Sequence, residues 1–188
     1  CRNQLILDLS RQEVRDHIVA AVSHVLDTAE IGYVKWDMNR HMTELGSAGL
    51  DSRRQKEMPH RYMLGLYEVL EKIVSSHPDV LFESCSGGGG RFDPGMLYYM
   101  PQTWTSDDTD AVERLSIQYG TSLAYPVSTM GSHVSAVPNH QAGRVTSLKM
   151  RGDVAMSGNF GYELDLMRLT EEEKEMVRGQ IRQYKDLR

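Results

Sequence analysis

The amino-acid sequence, 188 residues long, predicts an α/β protein of the incomplete (β/α)8-barrel (TIM-barrel) type. Short apolar segments alternate with amphipathic helical patterns, which favours parallel strands. Most of the apolar segments end in Asp, Cys or Ser, and this kind of barrel carries its active site at the carboxyl ends of its strands. A closed barrel needs eight strands in roughly 250 residues. Fewer are predicted here, so we expect roughly strands three to eight, in one partial domain over residues 1–188.

The predicted strands are short apolar runs that are poor candidates for buried helices. They cover residues 5–9, 33–36, 80–83, 103–105, 123–127 and 154–157. An open doubly wound sheet is the alternative, but no Gly-x-Gly-x-x-Gly turn follows the first strand. The chain opens at Cys1, without an initiator Met, and runs at once into the first apolar segment. We therefore expect it to be a piece of a longer polypeptide.

Three helices are marked by capping signals or by apolar periodicity. Ser10 and Glu13 have the spacing of a capping box, and the residues after them place apolar side chains on one helical face. Residues 60–76 repeat that periodicity. A second capping box at Thr170 opens a charged helix that runs to about residue 187.

Composition limits the classes of partner. The net charge of −5 disfavours nucleic acid or an anionic membrane surface, and no apolar run is long enough to span a bilayer. Cys1 and Cys85 form no Cys-x-x-Cys pair, which suits a cytoplasmic location. His133 and His140 have no nearby Cys or Glu to complete a zinc site, so we expect no metal.

The first candidate site follows the predicted strand at 33–36. Asp37 is flanked by Lys35, Asn39 and Arg40, and the neighbouring positive charge favours an ionised carboxylate. An ionised carboxylate at the end of a barrel strand can act as a nucleophile. The alternative is that Asp37 caps the next helix inside a surface ion-pair cluster.

The second candidate site is the glycine-rich segment at residues 83–93. Four consecutive glycines after a strand allow the backbone to approach a ligand closely. A phosphate site is an alternative, although the Gly-Lys-Ser/Thr ending of a Walker loop is absent, and a plain flexible turn is another. Cys85 could be a nucleophile, but no base for it is identifiable in the sequence.

The third candidate site contains three carboxylates within four positions: Asp107, Asp108 and Asp110. Their mutual repulsion favours a protonated form, which a general acid needs. A calcium loop is disfavoured because the Gly and Glu at its sixth and twelfth positions are missing. Helix capping by Ser106 or Asp107 is the structural alternative.

Taken together, three segments in this order and spacing resemble the signature of family 36 of the glycoside hydrolases, and specifically its bacterial α-galactosidases. They are residues 35–40 (Lys-Trp-Asp-Met-Asn-Arg), 85–93 (Cys-Ser-Gly-Gly-Gly-Gly-Arg-Phe-Asp) and 104–111 (Trp-Thr-Ser-Asp-Asp-Thr-Asp-Ala). Residues 2–8 (Arg-Asn-Gln-Leu-Ile-Leu-Asp) are similar to the third barrel strand of that family. The resemblance covers essentially the whole chain.

The resemblance implies a role for each site residue. Asp37 would be the nucleophile and Asp107 the acid/base, since the catalytic Asp of the motif comes first after the Ser. The expected galactose-binding groups are Arg2, Lys35, Asn39, Cys85, and the backbone of Gly87 and Gly88. The family's N-terminal β-sandwich, first barrel strands and C-terminal β domain are absent from this sequence, and a tetramer is expected for the full-length protein.

The implied reaction is retaining hydrolysis of terminal α-D-galactosyl residues in oligosaccharides such as melibiose and raffinose, without a cofactor. Retention needs two carboxyl groups, one charged and one protonated, about 5–5.5 Å apart. The alternatives are a transglycosylase of the raffinose- or stachyose-synthase type on the same scaffold, a non-catalytic sugar-binding fragment, and a phosphate-binding protein.

Overall fold

The computed structural model describes residues 4–188, and the chain divides into two compact units, Cys1–Pro101 and Gln102–Arg188. Arg2, a predicted galactose-binding residue, lies outside the described residues. Each unit is α/β with parallel strands, so the fold class predicted from the sequence is confirmed at that level. The assignment of the strands to positions three to eight of a barrel stays a prediction.

The first unit contains three α-helices and a parallel pair of strands. In chain order they are α1 (Gln12–Thr28), β1 (Tyr33–Asp37), α2 (Met58–Ser76), β2 (Leu81–Cys85) and α3 (Pro94–Tyr99), with a 3-10 helix at Ser52–Glu57 before α2.

The core of the first unit lies on one side of these two strands. Val34 and Trp36 of β1 point toward it, and Phe82 of β2 is buried in it. The buried side chains of α2 that complete the core include Leu66, Leu70 and Ile73, as the periodicity predicted. Because side chains alternate along a strand, the remaining residues of β1 face the opposite side of the sheet, away from this core.

The second unit alternates strand and helix throughout. It comprises β3 (Gln102–Trp104), α4 (Ala111–Ser122), β4 (Met130–Ser135), α5 (Leu148–Ala155), β5 (Asn159–Glu163) and α6 (Glu171–Leu187). β4 pairs in parallel with both β3 and β5. A small apolar cluster of Val134, Leu148, Ala155 and Val177 lies between strands and helices.

Buried polar side chains supplement that small core. Ser132 of β4 donates a hydrogen bond to Gln118 Oε1, 2.8 Å long, and Gln118 donates in turn to the carbonyl of Val154. A buried amide must be satisfied in this way, because leaving it unpaired would cost about 1–3 kcal/mol. The network links α4, β4 and the end of α5.

Three of the predicted strands are wrong. Residues 5–9 are irregular, with the side chains of Leu5 and Leu7 exposed. Residues 123–127 form the turn after α4, where Pro126 lacks the N–H that a strand ladder needs. Residues 154–157 include the end of α5, whose side-chain cap at Ser147 starts a helix that buries Val154.

Two strands, β4 and β5, were missed because small and polar residues interrupt their apolar pattern. Gly131 and Ser132 in β4 and Gly161 in β5 reduce strand propensity, and parallel pairing outweighs it. The Cβ of a larger residue at Gly161 would come within 2.8 Å of the His133 ring, so the neighbouring strand requires glycine there.

One of the two predicted capping boxes is wrong. Helix α1 begins after Arg11, with no side-chain cap, because the Ser10 hydroxyl donates to Asp8 Oδ1 and Glu13 pairs with Arg11. The capping box at Thr170 is confirmed, with reciprocal hydrogen bonds to Glu173.

Candidate active site

The candidate site of the first unit starts at Asp37, the last residue of β1. In the parallel register Asp37 is paired with Cys85 and Lys35 with Glu83. Paired residues project from the same face of a sheet, so these four side chains share the face that points away from the core. The next helical segment begins at Ser52 with its own cap, Asp51, which rules out helix capping by Asp37.

Asn39 joins this strand end to the glycine-rich loop. Its amide nitrogen donates to Asp37 Oδ2, and its carbonyl oxygen accepts from the backbone N–H of Gly87 at 2.5 Å. Gly87 and Gly88 have φ angles of 59° and 91°, a region that favours glycine. The loop conformation that presents the Gly87 N–H therefore depends on the glycines.

Lys35 is held by Glu83, which is bonded in turn by Tyr33, and the sequence singled out neither of these two residues as functional. Its Nζ lies 3.6 Å from Glu83 Oε1, and the Tyr33 hydroxyl donates to Glu83 Oε2 at 2.6 Å. Glu83 is fully buried, whereas the Lys35 side chain is 37% exposed. Burial, together with the hydrogen bond to Glu83, raises the pKa of Tyr33 well above its usual value. Tyr33 thus stays a neutral donor.

Arg91, in the glycine-rich segment, contacts the residues that follow Asp37. Its guanidinium donates to the carbonyl of Arg40 at 3.1 Å and lies 5.8 Å from the centre of the Tyr62 ring. The Ser86 hydroxyl donates to the carbonyl of Met38 at 2.5 Å. The glycine-rich loop and the segment after Asp37 are therefore fixed to each other by side-chain-to-backbone hydrogen bonds.

Cys85 is buried beside Asp37. Burial, reinforced by the Asp37 carboxylate, raises the pKa of the thiol to about 11. Only the thiolate is a strong nucleophile, so this Cys is poorly suited to nucleophilic attack at neutral pH. The neutral thiol favours a role for Cys85 in contacting a bound ligand and disfavours a role as the nucleophile.

A cavity of about 450 Å³ opens next to Asp37 and Asn39 in the first unit. Most of its lining is apolar and includes the core residues Leu66 and Val69. The cavity therefore extends along the core side of β1, and the opposite face, which carries Lys35 and Glu83, does not line it.

In the second unit the segment after β3 carries the three carboxylates. Asp110 caps α4, accepting from the backbone N–H groups of Val112 and Glu113, and pairs with Arg144. The predicted cap at Ser106 or Asp107 is therefore wrong, because the cap of α4 is Asp110, three residues after Asp107. Asp108 Oδ1 accepts from the N–H of Asp110 at 3.0 Å.

Asp108 and Asp110 therefore have structural roles: Asp108 stabilises the turn before α4, and Asp110 caps the helix. Asp107 is half-buried and lies between the strand and that turn. Within residues 4–188 no group of three or more His, Cys, Asp or Glu side chains is placed to hold a metal ion. No helix in this described range combines the length and apolar character that crossing a bilayer requires.

The structure thus brings together most of the predicted site residues in one unit. Lys35, Asp37, Asn39, Cys85, Gly87 and Gly88 all lie at the carboxyl end of β1 and β2. Asp107 belongs to the second unit. Sequence reasoning missed Tyr33 and Glu83; the only signal was their position two residues before Lys35 and Cys85, on the same face of each strand.

The sequence model of the Melibiase family matches residues 1–188. The chain is 70% identical over 187 residues to the α-galactosidase AgaA of Geobacillus stearothermophilus, covering 100% of this chain and 26% of that protein. It is 57% identical to α-galactosidase 1 of Pediococcus pentosaceus, with the same coverage of both chains. The chain therefore spans about a quarter of the length of these relatives.

Solved structures give the same result. The crystal structure of the family 36 α-galactosidase AgaA matches with a TM-score of 0.97 over 100% of this chain and 26% of its own, at 70% identity. A variant of that enzyme in complex with raffinose matches with a TM-score of 0.97 over the same shares, at 69% identity. The resemblance found in the three sequence motifs is confirmed, and the chain belongs to the Melibiase family.

Proposed function

We propose that the full-length polypeptide carrying this chain is an α-galactosidase, which hydrolyses terminal α-D-galactosyl residues of oligosaccharides such as melibiose and raffinose with retention of configuration. The observation that carries the proposal is the cluster at the carboxyl end of β1 and β2. There Asp37 is linked through Asn39 to the Gly87 N–H. The matches to enzymes named α-galactosidases over the whole chain support the same activity.

The cluster has the donors and acceptors that a galactosyl ring requires. The Lys35 ammonium donates hydrogen bonds, Asn39 both donates and accepts, and the thiol of Cys85 is a weak donor. We assign these side chains, the backbone of Gly87 and Gly88, and Arg2 to galactose binding. Glu83 is assigned to holding Lys35, through the 3.6 Å contact between their side chains.

The reaction needs two carboxyl groups in different roles. In the first step Asp37 attacks the anomeric carbon, and Asp107 donates a proton to the departing glycosidic oxygen. In the second step Asp107 takes a proton from water, which displaces Asp37 and releases galactose in the α configuration. Two inversions give net retention, and neither step uses a metal or an organic cofactor.

The surrounding protein is also part of the proposal. We assign the chain to roughly strands three to eight of a (β/α)8 barrel, of which residues 4–188 show five strands. The rest of the polypeptide supplies the first strands, an N-terminal β-sandwich and a C-terminal β domain. The length of the relatives supports this, since the chain covers 26% of AgaA. The protein is assigned to the cytoplasm as a homotetramer, without nucleic-acid or membrane partners, on its composition and its family.

Proton NMR of the full-length protein with melibiose tests the activity and its stereochemistry together. We expect α-galactose to appear first and the β anomer to follow at the rate of mutarotation. β-Galactose appearing first would contradict the retaining mechanism. Galactosyl-transfer products in excess of free galactose would indicate a transglycosylase, and binding without release would indicate a sugar-binding protein.

A further inference from the structure

The segment that carries Asp107 is held in place by hydrogen bonds from one buried arginine. Arg114 lies in the first turn of α4 and is only 3% exposed. Three hydrogen bonds from its guanidinium go to the segment between β3 and α4. The acceptors are Thr105 Oγ1 at 2.8 Å, the Ser106 carbonyl at 2.6 Å and the Asp108 carbonyl at 2.7 Å.

Two of these acceptors are the backbone carbonyls on either side of Asp107. A guanidinium is planar and presents its N–H groups in fixed directions. Because Arg114 donates to the Ser106 and Asp108 carbonyls at the same time, it holds the backbone on both sides of Asp107. A lysine has a single nitrogen on a flexible stem and cannot reproduce this geometry.

Arg114 is itself fixed against the strands. Its guanidinium carbon lies 4.2 Å from the centre of the Trp104 ring, within the range of a cation–π contact. That ring also stacks on His133 of β4, with the ring centres 4.8 Å apart. Through Arg114 and Trp104, the segment that carries Asp107 is therefore held against two strands of the sheet, β3 and β4.

We propose that Arg114 is a positioning residue for the acid/base carboxyl of Asp107. It acts on the backbone that carries Asp107 and does not itself contact the substrate. This inference rests on the proposed function, in which Asp107 protonates the leaving group. A shift of about 1 Å in a catalytic group costs on the order of 100-fold in rate. Loss of Arg114 therefore weakens acid catalysis in particular.

The test compares two substrates in the full-length enzyme. A poor leaving group requires protonation, whereas p-nitrophenolate departs without it. We expect Arg114→Lys to lower kcat/KM for melibiose at least about tenfold more than kcat/KM for p-nitrophenyl α-galactoside. The inhibition constant for free galactose should change less than about twofold, because the galactose-binding groups are untouched. Asp107→Ala should show the same substrate dependence in stronger form.

A matched variant separates positioning from a general loss of structure. Arg15 on α1 is also a mostly buried arginine, and it donates to a backbone carbonyl of the first unit, that of Leu9, at 2.8 Å. Arg15→Lys should change kcat/KM for melibiose and for p-nitrophenyl α-galactoside by the same factor. Thr105→Val, which removes one acceptor of Arg114 at little change in volume, should shift the substrate ratio in the same direction if Arg114→Lys fails to fold.

The outcomes distinguish this inference from the proposed function. If Asp107→Ala shows the substrate dependence but neither Arg114→Lys nor Thr105→Val does, the positioning role is overturned and the α-galactosidase assignment stands. If Arg114→Lys lowered kcat/KM for both substrates by the same factor, the positioning role would likewise be overturned, and Arg114 would be a purely structural residue. If the wild-type enzyme cleaves neither substrate, the proposed function itself fails.

Discussion

Lys35 shows how a buried partner can hold an exposed functional charge. Burying a carboxylate as deeply as Glu83 is costly unless it is paired, and Glu83 meets that cost with the Tyr33 hydroxyl and the nearby Lys35 ammonium. The Lys35 head remains accessible to a ligand while its orientation is restricted. This arrangement suits a residue that binds sugar hydroxyls.

In the full-length enzyme we expect Lys35→Ala to lower kcat/KM for p-nitrophenyl α-galactoside about 30-fold, equivalent to about 2 kcal/mol for a charged hydrogen bond left unmade. Lys149→Ala is the control, because Lys149 forms an exposed ion pair with Asp153 on α5. Steady-state kinetics of both variants measures the effect. A loss of less than threefold for Lys35→Ala would show that Lys35 does not bind the substrate.

The thiol of Cys85 provides a pH-dependent test of the same cluster. Folding raises its pKa from 9.0 to about 11, so at any pH below 9 the thiolate fraction is lower in the folded protein than in the unfolded one. At pH 8 the difference is about 100-fold. We expect iodoacetamide to alkylate the Cys85 peptide at least about 100-fold more slowly in native than in urea-unfolded protein, measured by mass spectrometry. Equal rates would contradict the burial of this thiol beside Asp37.

The candidate site could be predicted from the sequence only where its residues lie close together in the chain. Asp37 and Asn39 are two residues apart, and their pattern was visible at once. Glu83 is 50 residues from Tyr33, and only the parallel register of β1 and β2 brings them together. Asp110 could not be chosen as the helix cap over its neighbours, because each of them is a good capping residue.

At the scale of the elements, periodicity succeeded for helices and failed for strands with interrupted apolar patterns. Helix α2 was predicted within two residues at its start, because it buries a regular apolar stripe. β4 contains Gly131, Ser132 and His133, and its assignment depends on pairing with two neighbouring strands. Such tertiary pairing leaves little trace in a local pattern.

Gly65 of α2 provides an element-scale test of packing. A Cβ at this position would overlap the backbone carbonyl of Leu9, so the segment before α1 can rest on α2 only because residue 65 lacks a side chain. We expect Gly65→Ala to destabilise the protein by about 1–3 kcal/mol, as overpacking does. Scanning fluorimetry of the full-length protein should show a lower Tm.

The matched control is Gly179→Ala in α6, where a new Cβ would meet nothing within 4 Å. Alanine is the better helix former, so this variant should keep or raise the Tm. If Gly65→Ala raised the Tm as much as Gly179→Ala, the packing of residue 9 on α2 would be refuted.

At the scale of the whole molecule, much apolar surface needs a partner. Leu5 is 96% exposed and Met167 is 86% exposed, and within residues 4–188 each of the strands β1 and β5 has one open edge. Exposed apolar patches and unpaired strand edges promote aggregation. We therefore expect residues 1–188, expressed alone, to be insoluble or molten and inactive.

Cooperative thermal unfolding and galactosidase activity, measured beside the full-length polypeptide, check this expectation. A soluble 188-residue chain that unfolds sharply and cleaves p-nitrophenyl α-galactoside would contradict it. That result would mean that the chain forms a complete active site without the further strands and domains of its relatives.

The central claim, that Asp37 is the nucleophile of a retaining α-galactosidase, is tested most directly by trapping the covalent intermediate. A fluorinated galactosyl fluoride is incubated with the full-length enzyme, which is then digested and analysed by mass spectrometry. We predict a single labelled peptide, with the sugar on Asp37, and no labelling in Asp37→Ala. Labelling of Asp107 or Cys85 in the wild-type enzyme would contradict the account.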